Sequence, residues 1–108
     1  MFPPIDLLTK DGYDLQFGTN VIGHFLFTRE LIPLLEAAAQ TSPDKTARIV
    51  NTSSAASLLY TLNFETFKDS PSRKKLSNQT LYSQSKFVRF LLVVFESNFE
   101  SESSRQMW

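Results

Sequence analysis

Ala47-Arg48-Ile49-Val50-Asn51-Thr52-Ser53-Ser54 is the stretch on which the fold turns. Its centre is β-branched, so 47–52 reads as a strand of about five residues. The small residues Ser53-Ser54-Ala55-Ala56-Ser57 then let the chain leave the strand and approach a ligand closely. No other run reads as a strand. A lone strand has no partner for its backbone N–H and C=O groups, and even a two-stranded unit is marginal in water. Helical patterns on both sides mark the crossover connections of a parallel sheet, whose strands are buried on both faces. The chain therefore reads as α/β: a fragment of a doubly wound parallel sheet, ordered helix–strand–loop–helix, and incomplete as a domain.

Upstream, Leu15, Val21, Ile22, Phe25, Leu26, Leu31, Leu34 and Leu35 recur at threes and fours. That spacing predicts a long amphipathic helix over 11–39, capped by Thr9 or Asp11. Gly18, Gly23 and Pro33 weaken it locally. Asn20 competes for backbone hydrogen bonds in mid-helix, so a kink is expected there, freeing carbonyls for other partners. The prolines Pro3 and Pro4 make 1–8 extended.

Downstream, Asn63 is placed to cap a short turn, 69–78 reads as polar loop, and Arg73-Lys74-Lys75 as a solvated charge run. A second helix is expected over 79–95, capped by Asn78 or Thr80. Residues 1–95 thus form one partial domain, and 96–108 a serine- and charge-rich tail expected to fray.

The chain has 108 residues, with eleven cationic and eleven anionic side chains. This balance gives no electrostatic footprint for nucleic acid. Without cysteine there is no disulfide, thiolate zinc site or thiol nucleophile. The lone histidine, His24, sits in an apolar helical run and reads as structural, so no metal site is expected. No leader or spanning segment is evident, which makes the cytoplasm the expected location.

Chemistry enters with Tyr82-Ser83-Gln84-Ser85-Lys86. Residues four apart share a helix face, so the Lys86 ammonium can lie beside the Tyr82 phenol. A phenol ordinarily titrates near pH ~10, and bringing it toward neutrality takes about 4 kcal/mol of preferential phenolate stabilisation. A neighbouring cation supplies part of this, and a cationic cofactor ring could supply more. The spacing suits a tyrosine acting as general acid and base.

In this order, three blocks resemble the short-chain dehydrogenase/reductase family. They are the Asn20 helix from Asp11 to Phe25, the stretch Arg48-Ile49-Val50-Asn51-Thr52-Ser53-Ser54, and the Tyr82–Lys86 helix. Gly23-His24-Phe25 and Leu62-Asn63-Phe64-Glu65 look most like its retinol-dehydrogenase branch. The resemblance implies a Rossmann-type sheet and hydride transfer between NAD or NADP, with NADP slightly favoured, and a small carbonyl or alcohol. It implies that Tyr82 moves the proton. Ser54, or less readily Ser53, hydrogen-bonds the reacting oxygen. Lys86 assists Tyr82, and both contact the cofactor. The Asn20 carbonyl holds a water leading from Lys86. Leu58, Leu59 and Tyr60 serve either a substrate pocket or the core.

The chain also departs from the family. Its only glycines are Gly12, Gly18 and Gly23, so the family's glycine-rich phosphate turn is absent. Neither the segment before the Asn20 helix nor the strands after Lys86 can be matched, as expected of a chain truncated on both sides. Three readings follow. The chain is an oxidoreductase by descent and inactive alone; or it is an interaction module, pairing through helices 11–39 and 79–95 with an intact homologue; or it is a non-functional product.

Overall fold

Asp14 sets where the first helix begins. In the computed structural model, which describes residues 3–105 and side chains through Val94, its carboxylate accepts the Phe17 amide at 2.9 Å. Asp14, and neither Thr9 nor Asp11, is therefore the cap, satisfying a donor that the first helical turn leaves open. Helix α1 (Leu15–Phe17) passes into a π-helical segment, Gly18–Gly23, and then into α2 (His24–Thr41). The expected kink at Asn20 is thus a widened turn, bounded by the two helical glycines. Gly18 has a packing reason as well: a Cβ there would lie 2.2 Å from the Thr9 methyl group. Its bare backbone lets the preceding turn close against the helix.

That turn departs from the extended reading of 1–8. Leu7 N–H donates to the Pro4 carbonyl at 3.1 Å; residues 1–2 lie outside the described residues. Gly12, at φ 77°, then reverses the chain, and isolated antiparallel bridges join Leu8 to Asp14 and Tyr13 to Lys68.

The expected strand does not form. Residues 46–54 have no helical assignment and no ladder partner, and no strand occurs among the described residues. The physical reason is the one that marks a fragment: a strand's hydrogen bonds lie on neighbouring strands, and none is here to supply them. Ile49 and Val50, which a sheet would bury, are 46% and 89% exposed.

Two short 3₁₀ turns follow, Ala55–Leu58 and Phe64–Thr66, the second capped by Asn63 as expected. The expected loop over 69–78 contains α3 (Pro71–Lys74), capped by Ser70. Helix α4 spans Asn78–Arg105, passing the expected end at Phe95, with its Thr80 amide donating to Ser77 Oγ. The cap is Ser77, not Asn78 or Thr80. The tail reading of 96–108 thus meets helix as far as Arg105, and 106–108 lie outside the described residues. At 28 residues α4 is about 42 Å long, which accounts for most of the 50 Å long axis of the molecule. The radius of gyration, 16.6 Å, exceeds the roughly 13 Å of a compact chain of this length.

The interior is polar. Among the described residues, Val21 and Leu81 are the buried large hydrophobics, while Asp14, Gln16, Thr66, Arg73, Gln84 and Ser85 are also buried. Phe25, Leu26, Phe27, Leu34 and Phe90 are exposed. A small aromatic cluster supplements the core: Phe17 stacks on Phe67 at 4.0 Å between centroids, and Phe64 meets Phe67 edge-on at 5.5 Å. Buried polar groups hold only when they are hydrogen-bonded. Gln84 shows this, receiving the Asn63 amide at 3.0 Å and donating to Thr66 Oγ1 at 2.7 Å.

Candidate active site

Tyr82 and Lys86 sit one turn apart on α4, and the Lys86 Nζ lies 5.7 Å from the centroid of the Tyr82 ring. Both line a cavity of about 320 Å³ together with Pro3, Leu15, Gln16, Thr19 and Asn20. Three of the four residues singled out in the sequence therefore face one space, although Asn20 and Tyr82 are far apart along the chain. The π-helical segment supplies Asn20, and α4 supplies the other two.

Asn20 is held at both ends. Its Nδ2 donates to Ser85 Oγ at 2.9 Å, and Ser85 in turn donates to the Tyr82 carbonyl at 2.7 Å. Its main-chain carbonyl accepts from Arg89 Nη1 at 3.2 Å. Lys86 Nζ meets the Thr52 carbonyl at 3.4 Å, beside the serine pair.

Ser54 stands apart from this cavity. It is extended (φ −154°, ψ 147°), and its Oγ accepts the Ala56 amide at 3.2 Å, capping the 3₁₀ turn. That contact uses an acceptor lone pair and keeps the hydroxyl proton for another partner. Ser53 is exposed and has no cap role. Leu58 and Leu59, at 87% and 78% exposure, line neither this cavity nor the core.

Some residues near the site escaped the sequence reading. Gln16 is buried on the cavity wall, its Nε2 donating to the Asn78 carbonyl at 2.8 Å while its Oε1 has no partner among the described residues. Its spacing, four before Asn20, was the available signal. Arg73 is another, and it corrects the reading of 73–75 as a solvated run. Its guanidinium is 1% exposed and pairs with Asp14 at 2.9 Å, while Nη2 also donates to the Leu7 carbonyl at 3.2 Å. This buried pair holds the start of the Asn20 helix against the loop that leads into α4. Lys74 behaves as expected of a surface charge, pairing with Asp69 at 3.1 Å.

His24 opens α2 on the surface rather than in the core. Partial burial, then the charges of Arg89 and Lys86, hold its pKa below the ordinary 6.5. Among the described residues no group of side chains could hold a metal ion, and no helix is long and apolar enough to cross a membrane.

A phenol, an ammonium and a side-chain amide on one cavity make a site suited to moving protons. Known proteins place the chain in a lineage. Over 94 residues the chain is 57% identical to a short-chain dehydrogenase/reductase of Armillaria gallica, covering 87% of this chain and 30% of that protein. Retinol dehydrogenase 13 of Mus musculus is 38% identical over 80 residues, 74% of this chain and 22% of the relative. Polyprenol dehydrogenase of Homo sapiens is 37% identical over 83 residues, 77% of this chain and 24% of the relative. The chain belongs to the short-chain dehydrogenase/reductase family. It spans between 22% and 30% of the length of these relatives. No family model and no solved structure matches the chain.

Proposed function

We propose that this chain carries the proton-transfer part of an oxidoreductase site that interconverts a small carbonyl and its alcohol. The observation that carries the reading is the shared cavity of Asn20, Tyr82 and Lys86. In reduction Tyr82 donates its phenolic proton to the carbonyl oxygen; in oxidation it takes the hydroxyl proton. Lys86 sets its ammonium beside the reacting phenol, 5.7 Å from the ring centroid. Ser54, whose cap contact leaves its hydroxyl proton free to donate, is the donor read for the same oxygen, although it stands apart from the cavity here. Asn20 orients the wall through Ser85.

NAD or NADP, with NADP slightly preferred, would supply the hydride. The residues present fit one end of such a cofactor: Tyr82 and Lys86 offer a donor set for ribose hydroxyls. The phosphate end has no counterpart in this chain, because Gly12 serves a turn while Gly18 and Gly23 bound the π-helical segment. The 108 residues by themselves therefore give no turnover. Oxidation of NAD(P)H with a small carbonyl, abolished by Tyr82→Phe, would refute the inactivity while supporting the chemistry. Reading this chain as a cytoplasmic protein is checked by fractionation.

A second reading rests on the exposed apolar side chains of α2 and α4, Phe27 at 65%, Leu34 at 66% and Phe90 at 49%. Such side chains suit a helix-mediated interaction through 11–39 and 79–95 with an intact homologue. Co-precipitation with a full-length relative, lost on Phe27→Glu and Leu34→Glu, supports it; cofactor-dependent thermal stabilisation is expected only of the first reading.

A further inference from the structure

Arg89 follows Lys86 by one helical turn, and its guanidinium is divided between distant parts of the chain. Nη1 donates to the Asn20 carbonyl at 3.2 Å, and Nη2 donates to Asn51 Oδ1 at 2.5 Å. Asn20 lies in the π-helical segment. Asn51 lies in the unladdered stretch 46–54, just before Thr52 and the serine pair. With no sheet to hold that stretch, side chains reaching from α4 fix its position: Arg89 to Asn51 and Lys86 to the Thr52 carbonyl. A planar guanidinium can serve two separate oxygens from one rigid fork, which an ammonium on a flexible stem does not do equally well.

We propose that Arg89 is a positioning residue for the candidate site, holding the Asn20 turn and the serine-bearing segment together on the helix that carries Tyr82 and Lys86. The proposal rests on the oxidoreductase reading for its purpose. Its geometry stands without it.

The chain has no cysteine, so spin labels can be placed on introduced ones without background. Exposed positions give three pairs for dipolar distance measurement on the full chain. Thr52→Cys with Gln79→Cys reads the serine-bearing segment against α4. Thr19→Cys with Gln79→Cys reads the π-helical segment against α4. Lys10→Cys with Lys68→Cys is the control, across a contact that Arg89 does not touch. In the Arg89→Gln background, the Thr52 pair loses its narrow distance distribution and the Thr19 pair, still tied to α4 through Asn20 and Ser85, broadens, while the control and the helical circular dichroism stay as in the parent. In Arg89→Lys, one of the two narrow distributions returns and the other does not. Asn51→Ala, which removes a single arm, broadens the Thr52 pair alone and keeps the test informative should Arg89→Gln unfold the chain. The proposal is overturned if Arg89→Gln leaves both distributions narrow, if Arg89→Lys restores both, or if Asn51→Ala leaves the Thr52 pair unchanged. No cofactor enters these measurements, so their failure is distinct from a failure of the oxidoreductase reading, which cofactor-dependent thermal stabilisation of the chain decides.

Discussion

Asn20 and Ser85, 65 positions apart in sequence, meet through a hydrogen bond of 2.9 Å from Nδ2 to Oγ. Ser85 is 1% exposed, and its hydroxyl donates a hydrogen bond to the Tyr82 carbonyl at 2.7 Å. The π-helical turn is thereby attached to the main chain of the residue proposed to move the proton. Ser85→Ala leaves the Asn20 amide without its acceptor and is expected to cost about 1–3 kcal/mol in urea unfolding. Asn20→Ala should fall in the same range. In the double variant the losses should be less than additive, with a coupling of about 0.5–3 kcal/mol. Strict additivity would show that the contact contributes nothing in solution.

The Arg73–Asp14 pair predicts a larger effect with a specific rescue. Arg73→Met leaves a buried carboxylate, and breaking such a pair costs about 3–5 kcal/mol. Arg73→Met combined with Asp14→Asn should recover part of that loss, because the buried charge is gone while asparagine can still cap the Phe17 amide. Denaturant midpoints of the parent and both variants decide this. A double variant weaker than the single would overturn it.

Gly18 gives a steric prediction. Its added Cβ would meet the Thr9 methyl at 2.2 Å, and Thr9 is held in place because its Oγ1 accepts the Tyr13 amide at 3.0 Å. Gly18→Ala should therefore destabilise the chain despite alanine's better helix propensity, by about 1–3 kcal/mol for the overpacking. Adding Thr9→Ser removes the clashing methyl and keeps the hydroxyl, so thermal stability should return. Unchanged melting of Gly18→Ala would show that the turn moves aside at no cost.

His24 makes the pH dependence testable. Partial burial first, then Arg89 and Lys86, disfavour its imidazolium and place its pKa below 6.5. The unfolded chain takes up that proton near pH ~6.5. The folded chain does so only at lower pH, so between the two values the unfolded state binds more protons. Stability from this group is therefore complete above the unfolded pKa and declines as pH falls through the folded one. His24 is exposed, so the slope is shallow. A ring-proton NMR titration should give a midpoint below 6.5 that rises in Arg89→Gln, and His24→Gln should flatten the slope. A midpoint above 6.5 would contradict the geometry.

Features set by short-range interactions are legible in this sequence, and those set by long-range contacts are not. Asn63 as a cap, the irregularity at Asn20, and the shared face of Tyr82 and Lys86 were legible because each depends on residues within about a turn. The cap positions are less legible: Thr9 or Asp11 and Asn78 or Thr80 offer the capping oxygens that the sequence suggests, whereas Asp14 and Ser77 perform the role. Any polar residue near a helix start can serve, and tertiary contacts choose among them.

By itself, then, the sequence determined the two long helices, the shared face of Tyr82 and Lys86 on α4 and the family, since a helix closes its hydrogen bonds within its own segment and a motif survives in any stretch that retains it. Only the tertiary structure decided that 46–54 stays unladdered, that Arg73 is buried on Asp14 rather than solvated, and that the Asn20 carbonyl faces Arg89. A strand's backbone bonds, a buried charge and a carbonyl that accepts from a distant side chain each find their partners at positions remote in sequence, and those partners become visible only once the chain is folded.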